Sequence, residues 1–137
     1  LIRPGIIKNF VDIESEDVMM LEKFRQGLDG TVVSLNDNKV VAMHLLKDQK
    51  GDFDLSNKFK TVNIYKFSMN LLNKVFLDDL NNMIEQGKIN DFYELVIQNI
   101  LKRKKWSFAA FLINKEDFVE VDCEEEIKPA DELVSKW

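Results

Sequence analysis

The sequence predicts an α/β domain in which a mixed sheet carries flanking helices. Three observations lead there. Short runs rich in β-branched and aromatic residues, above all "KTVNIYKFS" at Lys60 to Ser68, alternate with longer amphipathic stretches. Thr31 to Met43 reads as a hairpin, which argues against a wholly parallel sheet. A hydrophobic content of 45% over 137 residues supplies one modest core, so residues 1–137 are expected to form a single domain.

Taken in order, Ile6 to Ile13 reads as a short strand. "SEDVMMLEKFRQGLDG" then reads as a helix, with Ser15 as N-cap, Val18, Leu21, Phe24 and Leu28 on one face, and Gly27 or Gly30 at its end. In the hairpin, Thr31 to Val33 and Val40 to Met43 are the strands and Asn36-Asp37-Asn38 the turn. Lys47 to Lys58 is polar and reads as the most mobile loop. After the Lys60 strand, Ser68 caps a helix whose stripe is Met69, Leu72, Val75, Phe76, Leu80 and Met83, and Gly87 stops it. Asp91 to Leu101 is the next helix, and Lys102 to Lys105 stand at its C-terminal end, where the helix dipole favours cations. Phe108 to Ile113 and Phe118 to Val121 read as strands, and a last helix runs towards Trp137. Pro129 fits that helix if it starts late, with the proline in its first turn.

Composition narrows the function. A formal charge of −5 disfavours non-specific nucleic-acid binding and suits sites that attract cations. A single cysteine, Cys123, rules out an intrachain disulfide and a cysteine-rich zinc site, and fits a reducing compartment such as the cytoplasm. No apolar run is long enough to span a membrane, and no signal-peptide pattern is visible. The chain opens on Leu1 rather than Met, as expected for a segment of a longer protein.

Few residues carry obvious chemistry. His44 is the one histidine and reads as a strand residue without catalytic duty. Cys123 sits before three glutamates, which would raise its pKa and blunt it as a nucleophile. No glycine-rich phosphate loop or dinucleotide fingerprint is present. Glu120 and Asp122 stand two apart in a predicted strand, so both carboxylates share a face. Two hard oxygen donors there suit Mg²⁺. Spacing alone favours the solvated face of an edge strand, followed by glutamates at a helix N-terminus.

Four segments, in this order, resemble one family: "LDGTVVSLNDNKVV" (Leu28 to Val41), "KTVNIYKFS" (Lys60 to Ser68), "NDFYELVIQNIL" (Asn90 to Leu101) and "VEVDCEEEIKPADEL" (Val119 to Leu133). The family is that of the choline-phosphate and phosphonate cytidylyltransferases and related sugar-phosphate nucleotidyltransferases. The resemblance covers Leu28 to Leu133 and leaves 1–27 as the least defined segment. It implies the C-terminal half of a Rossmann-like α/β/α fold. It also implies transfer of a nucleotidyl group, CMP from CTP, to a phosphorylated small molecule with release of pyrophosphate.

The same resemblance implies roles. Glu120 and Asp122 match the acidic pair that holds Mg²⁺. Tyr93 and Glu94, after Phe92, match an aromatic-acidic motif suited to a cationic acceptor. Lys60 is a further candidate, for a phosphate contact. The family's glycine-rich basic loop and its first metal-binding aspartate have no counterpart here. The implied protein is therefore the acceptor- and metal-side portion of an enzyme, inactive alone and without catalytic residues of its own. The alternative is a non-catalytic binding or oligomerisation module, which could dimerise through an exposed strand edge.

Overall fold

Local chemistry dictates the hairpin most directly. The structure, a computed structural model, describes Leu1 to Trp137. Asp37 and Asn38 adopt φ of 46° and 61°. These are the left-handed values a two-residue turn requires, and Asp and Asn tolerate them. Strands β2 (Val32–Asn36) and β3 (Lys39–His44) leave the turn antiparallel, with Asn36 opposite Lys39. Strands β1 (Val18–Lys23), β4 (Phe59–Lys66) and β5 (Phe108–Ile113) complete the sheet. Its order is β1-β4-β2-β3-β5, and β5 returns to β1, so the sheet closes into a barrel.

This barrel corrects the expected fold. A Rossmann-like α/β/α half needs an open sheet of mostly parallel strands with helices on both faces. Here β1 and β5 are the one parallel pair, and every other pairing is antiparallel. Closure also gives every strand a neighbour on both sides, although β2–β4 and β3–β5 pair over two residues each, so no whole strand is left as the free edge invoked for a dimerising module.

Three element assignments change as well. Ile6–Val11 is a helix, α1, rather than a strand. Val18–Lys23, expected to be helical, is β1. Val18, Met19, Met20 and Leu21 are all fully buried. A continuous apolar run of that length has no periodicity to separate strand from helix. Burial on both faces decides it. Met19 and Leu21 join the larger core cluster, whereas Val18 and Met20 pack with Phe10 of α1, Val62 and Ile113. Finally, Phe118 to Val121 is not a strand. Phe118 makes a lone bridge to Ile2, and the chain continues as an irregular strap to a 3-10 turn at Glu124–Glu126. The closed barrel leaves it no edge to join.

The helices follow expectation more closely. Ser68 Oγ accepts from the Leu71 N–H at 3.1 Å and opens α2 (Met69–Leu71). A π-helical stretch, Leu72–Phe76, leads into α3 (Leu77–Glu85), and Gly87 at φ 74° ends the run. Helix α4 (Glu94–Lys102) buries Val96, Ile97, Ile100 and Leu101 against Met19, Leu21, Val33, Val40, Met43 and Phe108. Each such side chain contributes about 1.5–3 kcal/mol on burial. α5 (Ile127–Val134) carries Pro129 in its first turn, where the missing N–H costs nothing. Asp17 ties these parts together. Its carboxylate accepts from Ser68 N at 2.7 Å and from Trp106 Nε1 at 2.8 Å, joining the approach to β1 to the α2 cap.

Candidate functional site

A cleft of about 410 Å³ opens where five separate pieces of chain meet. Asp29 to Thr31 precede β2, and Leu45 to Lys47 follow β3. Lys60, Thr61 and Asn63 come from β4, and Asn90 to Glu94 from the run into α4. Glu120 and Asp122 come from the strap. All five residues predicted as a site, Lys60, Tyr93, Glu94, Glu120 and Asp122, therefore line one cleft.

Their surroundings differ. Glu120 and Asp122 stand on irregular chain, so the strand that was expected to put them on one face is absent. The Lys60 side chain is only 7% exposed, and its ammonium donates to the Glu120 carboxylate, which is 38% exposed. Lys60 thus contacts a carboxylate of its own chain, and Glu120 is its one hydrogen-bond acceptor. The Asp122 N–H donates to Glu126 at 2.7 Å, which folds the end of the strap back on itself.

Glu94 is buried at the first position of α4, yet its carboxylate has no hydrogen-bond or ion-pair partner within the chain. Its oxygens are not sealed from solvent, since no buried side-chain oxygen or nitrogen lacks a partner, so the carboxylate opens into the cleft, where a ligand cation could meet it. Beside it, Tyr93 meets Tyr65 edge-on at 5.9 Å. Burial raises the pKa of both phenols, so both stay protonated at neutral pH. Phe92 stands exposed at the rim.

Sequence reasoning missed two contributors. Asn63 has φ 58° inside β4, at the point where β1 advances from Met19 to Leu21 while β4 retreats from Tyr65 to Thr61. That bulge turns its carboxamide oxygen so that it accepts from Thr61 Oγ1 and Tyr65 Oη, each at 3.3 Å. An asparagine in a β-branched run was the available signal. Gly30, at φ 99°, brings the backbone beside Lys60, where a Cβ would lie 3.7 Å from Cε. Its carbonyl accepts from Gln49 Nε2 at 2.8 Å, which anchors the start of the expected mobile loop to the cleft wall.

The cleft holds five carboxylates, Asp29, Asp91, Glu94, Glu120 and Asp122, against two ammonium groups, Lys47 and Lys60. Lys47 pairs with Asp91 at 3.3 Å. The remaining surplus is acidic and favours cationic groups. No three His, Cys, Asp or Glu side chains converge to hold a metal ion by themselves. Mg²⁺ is commonly held by one or two carboxylates with water and substrate oxygens completing the shell. Glu120 and Asp122 are the two carboxylates of that kind that the strap brings to the cleft, and Glu120 is already engaged by Lys60.

The other candidates stay outside. His44 Nε2 lies 3.2 Å from Ser34 Oγ, but the nearby Asp48 carboxylate is taken by Gln98 Nε2 at 2.6 Å and the Leu45 N–H at 3.3 Å. No Ser-His-Asp relay is assembled. Cys123 is exposed, and a hydrogen bond to Glu125, followed by desolvation, raises its pKa. Arg103 pairs with Asp79, and Lys102 donates to Gln98 at 2.7 Å, so the basic run is in part a tethered helix end. No helix is long and apolar enough to cross a membrane. No known protein family, curated protein or solved structure matches this chain.

Proposed function

We propose that this cleft is the acceptor- and metal-side part of a nucleotidyltransferase. It would receive a phosphorylated small molecule with a cationic head, while CTP supplies the nucleotidyl group and pyrophosphate leaves. The reading concerns the cleft and not an α/β/α architecture, which this chain lacks. One observation carries it. The four segments that resemble the family each place residues in this single cleft: Asp29 to Thr31, then Lys60, Thr61 and Asn63, then Asn90 to Glu94, then Glu120 and Asp122.

The residues divide the work by charge. Glu94, unpaired within the chain and open to the cleft, receives the cationic head, with Tyr93 and Phe92 beside it in the lining. Lys60 faces the acceptor's phosphate. Glu120 and Asp122 hold Mg²⁺, which screens the negative groups brought together in the reaction. This chain offers no glycine-rich cradle for a nucleotide. That favours the second reading, in which the cleft binds the phosphorylated ligand without turnover.

The complete protein, supplied with CTP, Mg²⁺ and a phosphorylated amine, is expected to release pyrophosphate. Asp122→Asn should lower turnover by at least about tenfold. Glu94→Gln should raise the acceptor KM by about tenfold, the loss of roughly 1.4 kcal/mol, and leave the KM for CTP unchanged. Wild-type turnover in Asp122→Asn sinks the metal assignment. Tight acceptor binding without pyrophosphate release selects the binding module instead.

A further inference from the structure

Two groups assigned to different ligands, Lys60 to phosphate and Glu120 to a cation, are bonded to each other. The pair is lopsided. The Lys60 side chain is 7% exposed and Glu120 is 38% exposed. Lysine carries three N–H donors, and within the chain only Glu120 accepts from Lys60. Glu120 rides on the irregular strap, whereas Lys60 is fixed in β4, opposite Glu22 of β1 and Val32 of β2. The movable partner is therefore the carboxylate.

We propose that the Lys60–Glu120 pair is an autoinhibitory latch. Each partner blocks the other's ligand, and the strap swings when a phosphoryl group takes over Lys60. The inference rests on the reading of the cleft given above. With the latch closed, an anion meets an ammonium already neutralised and a surplus of carboxylates around it. A divalent cation meets Asp122 without Glu120. With the latch open, Lys60 turns its donors to phosphoryl oxygens, and Glu120 joins Asp122. The residues from Val119 to Cys123 belong to no strand or helix, so the exchange has to release only the two backbone bonds between Val119 and Leu1 and the bond from the Asp122 N–H to Glu126.

Each partner can be removed singly and read with one simple ion, without mixing ligands. Glu120→Gln frees Lys60, so inorganic phosphate should bind about tenfold tighter than to wild type in calorimetry. Lys60→Met frees Glu120, so Mn²⁺, read by electron paramagnetic resonance, should bind about tenfold tighter. In the wild-type chain, phosphate should speed amide exchange at Val119 and Asp122, the two strap amides that are hydrogen-bonded, and leave β4 protected. Circular dichroism of both variants should match wild type. The strap readout uses wild-type protein and so stands even if a variant misfolds. If phosphate and Mn²⁺ bind wild type and variants equally, or the strap's exchange does not change, the latch is overturned and the cleft reading stands. If neither ion binds any of the three proteins, the cleft reading falls and the latch with it.

Discussion

Removing either partner of the Lys60–Glu120 pair should destabilise the fold by very different amounts. Glu120→Ala leaves a buried ammonium with no acceptor in the chain. A buried donor left unsatisfied costs about 1–3 kcal/mol, and more when it is charged. Breaking a wholly buried pair would cost about 3–5 kcal/mol, but Glu120 is 38% exposed, so water reaches the vacated position and the lower range applies. Lys60→Met is the opposite case. It removes the desolvated charge, keeps an apolar stem in the wall, and leaves a carboxylate that solvent can reach. That change should stay within about 0.5 kcal/mol of wild type. The double variant should resemble Lys60→Met, since no buried charge then remains. Urea unfolding at pH 7, with similar slopes for all four proteins, reads these differences from the midpoints. A Lys60→Met variant as unstable as Glu120→Ala refutes the reasoning. So does a double variant less stable than Glu120→Ala.

Three further outcomes follow from the fold. Asp17→Ala removes the acceptor for Ser68 N and Trp106 Nε1 and should cost about 2–4 kcal/mol in urea unfolding; a loss under about 1 kcal/mol contradicts its joining role. His44 has its folded pKa lowered by burial first and by Lys58 next, so below about pH 6.5 the unfolded chain takes up the proton before the folded one and stability falls with falling pH. His44→Gln should flatten that slope between about pH 5 and 6.5 in unfolding midpoints; an unchanged slope removes His44 as its source. Asn63→Gly relieves the positive φ but removes the acceptor for Thr61 and Tyr65, so ligand affinity should fall while unfolding stability changes by less than about 1 kcal/mol; unchanged affinity removes Asn63 from the cleft's working parts.

The elements legible in the sequence are those whose conformation is set within a few residues. Asp37-Asn38 specifies the hairpin turn, Ser68 caps its helix through its own hydroxyl, and the apolar spacing of Phe92, Leu95, Val96 and Ile100 marks the helix that becomes α4, although Phe92 itself is exposed and Ile97 and Leu101 join the buried face. The misread elements are those where local signals conflict. Ser15 and the acids after it resemble a helix start, yet Val18 to Leu21 lie in a strand buried on both faces. The alternation around Glu120 and Asp122 reads as a strand, and the strand is absent. They reach the cleft because the strap crosses it, a placement that alternation cannot encode.

The sequence by itself supplied the candidate residues Lys60, Tyr93, Glu94, Glu120 and Asp122, and the fold is what brings them to one cleft. The sequence also determined the acidic balance, because charge is a property of composition. Only the tertiary structure decided that the sheet closes through the parallel β1–β5 pair. Pairing between residues about 90 apart depends on what each strand buries, and no local pattern carries that information. The same holds for the site. That Glu94 lacks a partner while Lys60 and Glu120 have found each other follows from burial and proximity across the fold.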